Sequence, residues 1–291
     1  MGGIHTLLNN VYILKKEGID KGFIYFDNDK IIDTDKEADP IYELSELVID
    51  YEYKALAIHG YSVLTNLSGY PYRGLGVKTD LSIFTRDELK KIINAALYEL
   101  VMNGVTFPVI YDQYIDLTIQ ILKEHSLKAV IIAEEGTVPE YTGLYYVYMQ
   151  GDNLYYNDEK LGLIRDIICR PEKINNNCLF LDLRDYYTYN VSYVMNILFK
   201  LSKNIYTVLD VFTKPYQLIK IDNGYIDKQA KPDIVIYDLR EPYLVTPRNY
   251  IPLSVLRGYV PSQVFISGDI FFDHGESLVL AKTRIDFILE K

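Results

Sequence analysis

Acidic side chains stand where strands end. Asp182 follows the apolar run Leu179-Phe180-Leu181, Asp112 follows the run at 105–110, and Glu134-Glu135 follow Ala129-Val130-Ile131-Ile132-Ala133. In a βα array such acids point to one rim. There they could bind a hard cation such as Mg²⁺ through oxygens, or divide acid and base work if burial separates their pKa values. The same acids could instead cap helices or face solvent. Arg73, Arg184 and Asp185 are further candidates for that rim.

Imidazole and thiolate chemistry is poorly supplied. Of four histidines, His5 lies near the start of the chain and His274 in a closing β segment. His125 ends a helix, on the side away from the strand C-termini where barrel sites form. His59 remains, at the end of a buried strand, and histidines so scattered do not assemble a two-metal imidazole site. Cys169 and Cys178 are too few and too isolated for a disulfide framework or a zinc site.

The elements that must hold these residues follow from periodicity. Short apolar runs bounded by turn formers mark residues 10–53 as a small β unit, with a hairpin turn at Asp27-Asn28-Asp29-Lys30. From Lys54 the period changes. Ala55-Leu56-Ala57-Ile58 leads a buried strand, and Thr85-Arg86-Asp87-Glu88 is a helix start with a threonine cap and acids in the first turn. Leu89, Ile92, Ile93, Ala96, Leu97 and Leu100 recur at helical spacing until Asn103-Gly104. A strand at 105–110, a helix from Ile115 to His125 and a strand at 129–133 complete a run of parallel βα units. Tyr145 to Tyr148 and Leu154 to Tyr156 pair as a hairpin, 191–221 is helical, and short strands return from Ile234, closed by a terminal helix at 281–290.

Composition narrows the partners. The formal charge of −10 argues against nucleic acid or an anionic membrane, both of which need a basic face. With no signal peptide evident and no apolar stretch long enough for a span, the expectation is a cytoplasmic protein. Tyrosine is abundant, at 28 residues with no tryptophan, which leaves open compositional drift or a tyrosine-lined pocket.

Several segments in order resemble the amidohydrolase superfamily. Gly22 to Lys30 with Val48-Ile49-Asp50 is similar to its opening β unit. Leu56-Ala57-Ile58-His59-Gly60-Tyr61, then Tyr72-Arg73-Gly74-Leu75, resembles its first barrel strand and the following loop. Asn103-Gly104-Val105-Thr106 resembles the entry to its second strand. The closing segments Lys231-Pro232-Asp233-Ile234-Val235-Ile236-Tyr237-Asp238 and Val264-Phe265-Ile266-Ser267-Gly268-Asp269 match best. The resemblance implies an α/β chain: a (β/α)8 TIM-like barrel at 55–221, and a small β-sandwich built from 1–54 and 222–291. Since a full barrel takes about 250 residues, the barrel is expected to be incomplete or distorted.

The family's metal-dependent hydrolysis of C–N bonds depends on a His-x-His pair at the first barrel strand. Two imidazoles one residue apart on a strand face the same way and hold a zinc-type ion. The corresponding positions here are Thr65 and Leu67, with Asn66 between them, and Ser62 to Gly69 contains no histidine. Asp182 resembles the aspartate at the family's last strand. No cofactor is therefore expected where zinc or another divalent metal is the family norm. Three readings follow: a relative that lost the metal and now binds a small molecule or assembles, a divergent hydrolase using Asp182, Asp112 and Glu134, or a subunit that docks as a homodimer or on a catalytic homologue.

Overall fold

The computed structural model describes residues 4–16, 18–28, 30–77, 80–137 and 141–290. The chain begins with β1 (Thr6–Leu14), β2 (Ile19–Phe26), β3 (Ile31–Asp35), β4 (Leu47–Asp50) and β5 (Ala55–His59). The β2–β3 hairpin forms as expected; Asp29 of its turn lies outside the described residues. A second group follows: β6 (Leu64–Thr65), α1 (Arg86–Met102), β7 (Val109–Ile110), α2 (Ile115–Glu124), β8 (Ala129–Glu134) and β9 (Leu144–Gln150). Then come β10 (Asn153–Tyr156), β11 (Glu159–Leu163), the single turn α3 (Ile164–Ile167), β12 (Ile168–Cys169), β13 (Phe180–Leu181), α4 (Val191–Ser202) and α5 (Ile205–Leu218). The chain ends with β14 (Ile234–Asp238), β15 (Gln263–Ile266), β16 (Asp269–Asp273) and β17 (Glu276–Ser277).

Strands from both ends of the chain share one nine-stranded sheet, ordered β17-β16-β15-β14-β5-β1-β2-β3, with β4 also paired to β1. It is one continuous sheet, but it curls. Phe26 on β2 and Phe265 on β15 are four strands apart, roughly 19 Å in a flat sheet. Their rings nevertheless meet edge to face at 5.8 Å. The shift of register in β1 between Leu8 and Val11 lets that strand bend. The curled face closes on Leu8, Val11, Ile24, Phe26, Ala57, Ile234, Ile236 and Phe265.

The stretch 55–65 divides between two sheets. Ala55–His59 pairs with β14 and β1, whereas Leu64–Thr65 opens the parallel array β6-β7-β8-β9, joined in register. Gly60 marks the division: its N–H donates to Asp233, and that of Tyr61 to Gly104. An isolated bridge from Leu64 to Asp182 sets β13 beside β6, and β12 pairs with β13, all parallel. On the far side the hairpin β9–β10 forms as the tyrosine runs predict, and β11 adds a further antiparallel strand. A separate core lines this array, drawn from Leu64, Val109, Val130, Ile132, Val147, Leu154 and Phe180. The whole is a mixed α/β fold.

Two helical expectations change. The stretch 191–221 is two helices, because Lys203 takes a left-handed conformation (φ 57°) and the Asn204 side chain caps the next helix at Tyr206 and Thr207. The terminal helix is a 3₁₀ segment at Asp286–Glu290. The start of α1 holds as read: the Thr85 hydroxyl and the Glu88 carboxylate form a reciprocal capping box. Thr85→Ala is expected to cost about 1 kcal/mol, measurable as a lower urea midpoint with an unchanged slope.

Candidate functional site

The C-terminal ends of β6, β7 and β13 surround a hollow of about 410 Å³ lined by Asn66, Tyr111, Asp112, Gln113, Arg184 and Asp185. Asp182 borders it through Arg184. That guanidinium grips the Asp182 carboxylate with Nε and Nη2, both at 2.9 Å, while the backbone N–H of Arg184 donates to the same carboxylate at 3.0 Å. Such a bidentate pair is among the stronger side-chain contacts. Burial alone would lower the Arg184 pKa, but Asp182 more than offsets it and the net direction is upward. The guanidinium also lies over the Tyr111 ring, 5.3 Å from its centroid.

Asp112 is occupied as well. It accepts from the backbone N–H groups of Leu67 and Ser68 and from the Thr118 hydroxyl through one oxygen, and from Tyr114 N–H and the Ser68 hydroxyl through the other. Five donors saturate a carboxylate. Its role is to tie the loop after β6 to the start of α2.

The other candidates lie elsewhere. Thr65 is fully buried and donates to the Tyr189 hydroxyl at 2.6 Å, beneath the hollow rather than in it. Burial pushes the Tyr189 pKa up to about 12. Arg73 is clamped by Glu99 of α1, with Nη2 at 2.7 Å from both carboxylate oxygens, and is sandwiched on Tyr70 and Tyr189. Glu134 is exposed at the end of β8 and is not part of the hollow. The structure thus brings Asn66, Asp112, Asp182 and Arg184 together and leaves Thr65, Arg73 and Glu134 apart. Tyr111 and Gln113 also line the hollow; they flank Asp112, but nothing in their spacing marks them.

A second polar cluster lies at the opposite end of the strands. His59 is buried between the Gly60 carbonyl (Nδ1, 3.0 Å) and the Asp222 carboxylate (Nε2, 3.2 Å). The Gly60 carbonyl and an ionised Asp222 both accept, an arrangement that favours the doubly protonated imidazolium form of His59. Burial works against that charge, yet Asp222 reverses it and the net shift of the His59 pKa is upward. Asp222 moves downward: burial opposes its charge, and His59 together with the N–H groups of Gly224 and Lys231 prevails. Tyr216 sets its ring against His59, at 4.5 Å between centroids, and donates to buried Asp233 at 2.9 Å. Asp233 also accepts from Ser267 N–H at 2.7 Å, and Thr106 completes the chain by donating to Tyr216. The remaining histidines stand apart: His125 beside Asn94, His274 on Asp273, and His5 stacked on Tyr25.

The curled sheet from both termini, the parallel strands beside it and the rim hollow make up a fold also found in solved hydrolase and deaminase structures. The chain superposes on the zinc-bound atrazine chlorohydrolase of Arthrobacter aurescens TC1 with a TM-score of 0.72, at 11% identity, over 96% of this chain and 98% of that one. An adenosine deaminase from Xanthomonas campestris with bound zinc gives 0.67 at 9% identity, over 98% and 97%. E. coli guanine deaminase gives 0.67 at 10%, over 92% and 99%. At such identities the likeness is one of fold. No protein-family model and no curated protein matches the sequence.

The residues do not fit the metal that the fold family implies. Thr65 is bonded to Tyr189, Leu67 is buried and apolar, and Asp182 is already neutralised by Arg184. Among the described residues, no group of three or more His, Cys, Asp or Glu side chains could hold a metal ion. Likewise, no helix among them is long and apolar enough to cross a membrane.

Proposed function

We propose that this chain is a repurposed amidohydrolase-fold protein whose rim is a metal-free binding hollow rather than a hydrolytic centre. The carrying observation is the Asp182–Arg184 pair. A carboxylate at the end of the last parallel strand holds an arginine side chain two residues on, instead of a metal and a water. The hollow is of a size for a small molecule. On this reading the eight strands β6 to β13 form a distorted barrel in which the antiparallel pair β10–β11 stands in for two missing βα units; the single core they share supports it. The alternative of hydrolysis by strand-end acids is weakened by the five donors on Asp112 and by the absence of Glu134 from the lining of the hollow.

Elemental analysis of untagged protein purified without chelators tests the proposal. Zinc, manganese, iron and nickel are expected far below one ion per chain, before and after incubation with each. Near-stoichiometric metal would overturn it.

A second reading, docking on a partner or a second copy, has one observation in its favour. Tyr187 with Tyr193, and Tyr243 with Tyr259, form two exposed ring pairs. Hydrogen bonds from Asn190 and Ser192 to the carbonyls of Gly258 and Tyr259 hold their two segments together.

A further inference from the structure

A cleft of about 820 Å³ lies away from the rim, between the end of β1, the end of α5 and the loop at 222–227. Three lysines reach it from two directions: Lys15 and Lys16 after β1, and Lys220 after α5. Three acids line it too, but two are already engaged. Asp222 is held by His59 and by the N–H groups of Gly224 and Lys231. Asp210 accepts from the Tyr225 hydroxyl at 3.1 Å. The third, Asp227, is exposed and accepts from the N–H of Lys228.

The lysines are less well supplied. Neither Lys16 nor Lys220 has an ion pair among the described residues. Lys15 Nζ, half-buried, meets only neutral acceptors, the Ile226 carbonyl at 2.8 Å and the Thr34 hydroxyl at 3.5 Å. Burial holds the Lys15 pKa below its usual value in spite of Asp227, Asp20 and Asp35 nearby. Lys220 takes a left-handed backbone conformation (φ 58°), a position where glycine is the usual residue at a helix end. With Asp222 paired to His59, three lysines face two remaining acids across the cleft, and Lys16 and Lys220 keep their donors free of ion pairs among the described residues.

We infer that this cleft binds a small molecule bearing clustered oxyanions, which would bridge Lys15, Lys16 and Lys220. Phosphate esters and polycarboxylates share that chemistry, and two probes separate them: pyrophosphate and citrate. Calorimetric titration of the full chain, with thermal unfolding in parallel, reads the result. Saturable binding of one probe is expected, with the preferred probe naming the ligand type. Lys16→Gln and Lys220→Gln, both at exposed side chains, should each weaken it about tenfold. The exposed Lys200→Gln on α4 should leave it unchanged. No saturable binding of either probe would overturn the inference. So would equal effects of Lys16→Gln, Lys220→Gln and Lys200→Gln.

Discussion

His59→Leu is expected to destabilise the protein by about 3–5 kcal/mol near neutral pH, because it leaves the Asp222 carboxylate buried without its counter-charge. In a chain of this size that is a fall in melting temperature on the order of 10 °C. The pH dependence follows from the two directions of shift. The raised pKa of His59 means that its contribution is fully present below the unfolded histidine value of about 6.5 and is lost as pH rises through the higher folded value. The depressed pKa of Asp222 means that its contribution is present above the unfolded aspartate value of about 3.9 and is lost as pH falls through the lower folded value. The gap between native protein and variant should therefore be widest between roughly pH 4 and 6.5 and should narrow in alkali. Urea unfolding at several pH values measures it. Adding Asp222→Asn to the variant should restore part of the loss, since the two sites act as a unit. A gap that is flat from acid to alkali would show that His59 is a neutral packing residue.

Gly60→Ala is the second large effect. A Cβ at this position would stand 1.9 Å from the Thr106 hydroxyl oxygen and 2.8 Å from two of its carbons. Thr106 cannot give way freely, because its hydroxyl donates to Tyr216, which in turn donates to Asp233. The backbone of Gly60 is also fixed by its bond to Asp233. Overpacking of this kind costs roughly 1–3 kcal/mol, and more when the neighbour is anchored. We expect the upper end, seen as a lower urea midpoint. Thr106→Gly removes the obstructing atoms, so the double variant should be more stable than the two single losses added together. Strict additivity would mean that the backbone shifts instead.

Much of the frame was legible. The capping box at Thr85 and the helical spacing from Leu89 to Leu100 are local signals, and α1 forms on them. The acids at 112 and 182 do stand at strand ends beside one hollow. What they do there was not legible, because it depends on turns that fold donors back onto them. Arg184 reaches Asp182 only because the chain bends between them, and three of the five donors on Asp112 come from a loop 44 and 45 residues earlier. The partner of His59 lies 163 residues away, beyond any local pattern. The stretch 55–65 gave no sign that Gly60 would hand it from one sheet to the other. Periodicity does not record which ladder an N–H joins.

The interleaving of the two chain ends in one sheet also governs how the protein is made. β5 pairs with β14 from His59–Ile234 to Ala55–Asp238, so no N-terminal portion of the chain contains the neighbour its central strand requires. At about 5–20 residues per second, a ribosome needs roughly 9 to 35 s to reach the missing strand after β5 has emerged. Throughout that interval one edge of β5 is unpaired, and Leu8, Val11 and Ala57 lack the C-terminal strands they later pack against. A nascent chain stalled before residue 234 should therefore be bound by holding chaperones, and release should coincide with synthesis of the C-terminal strands.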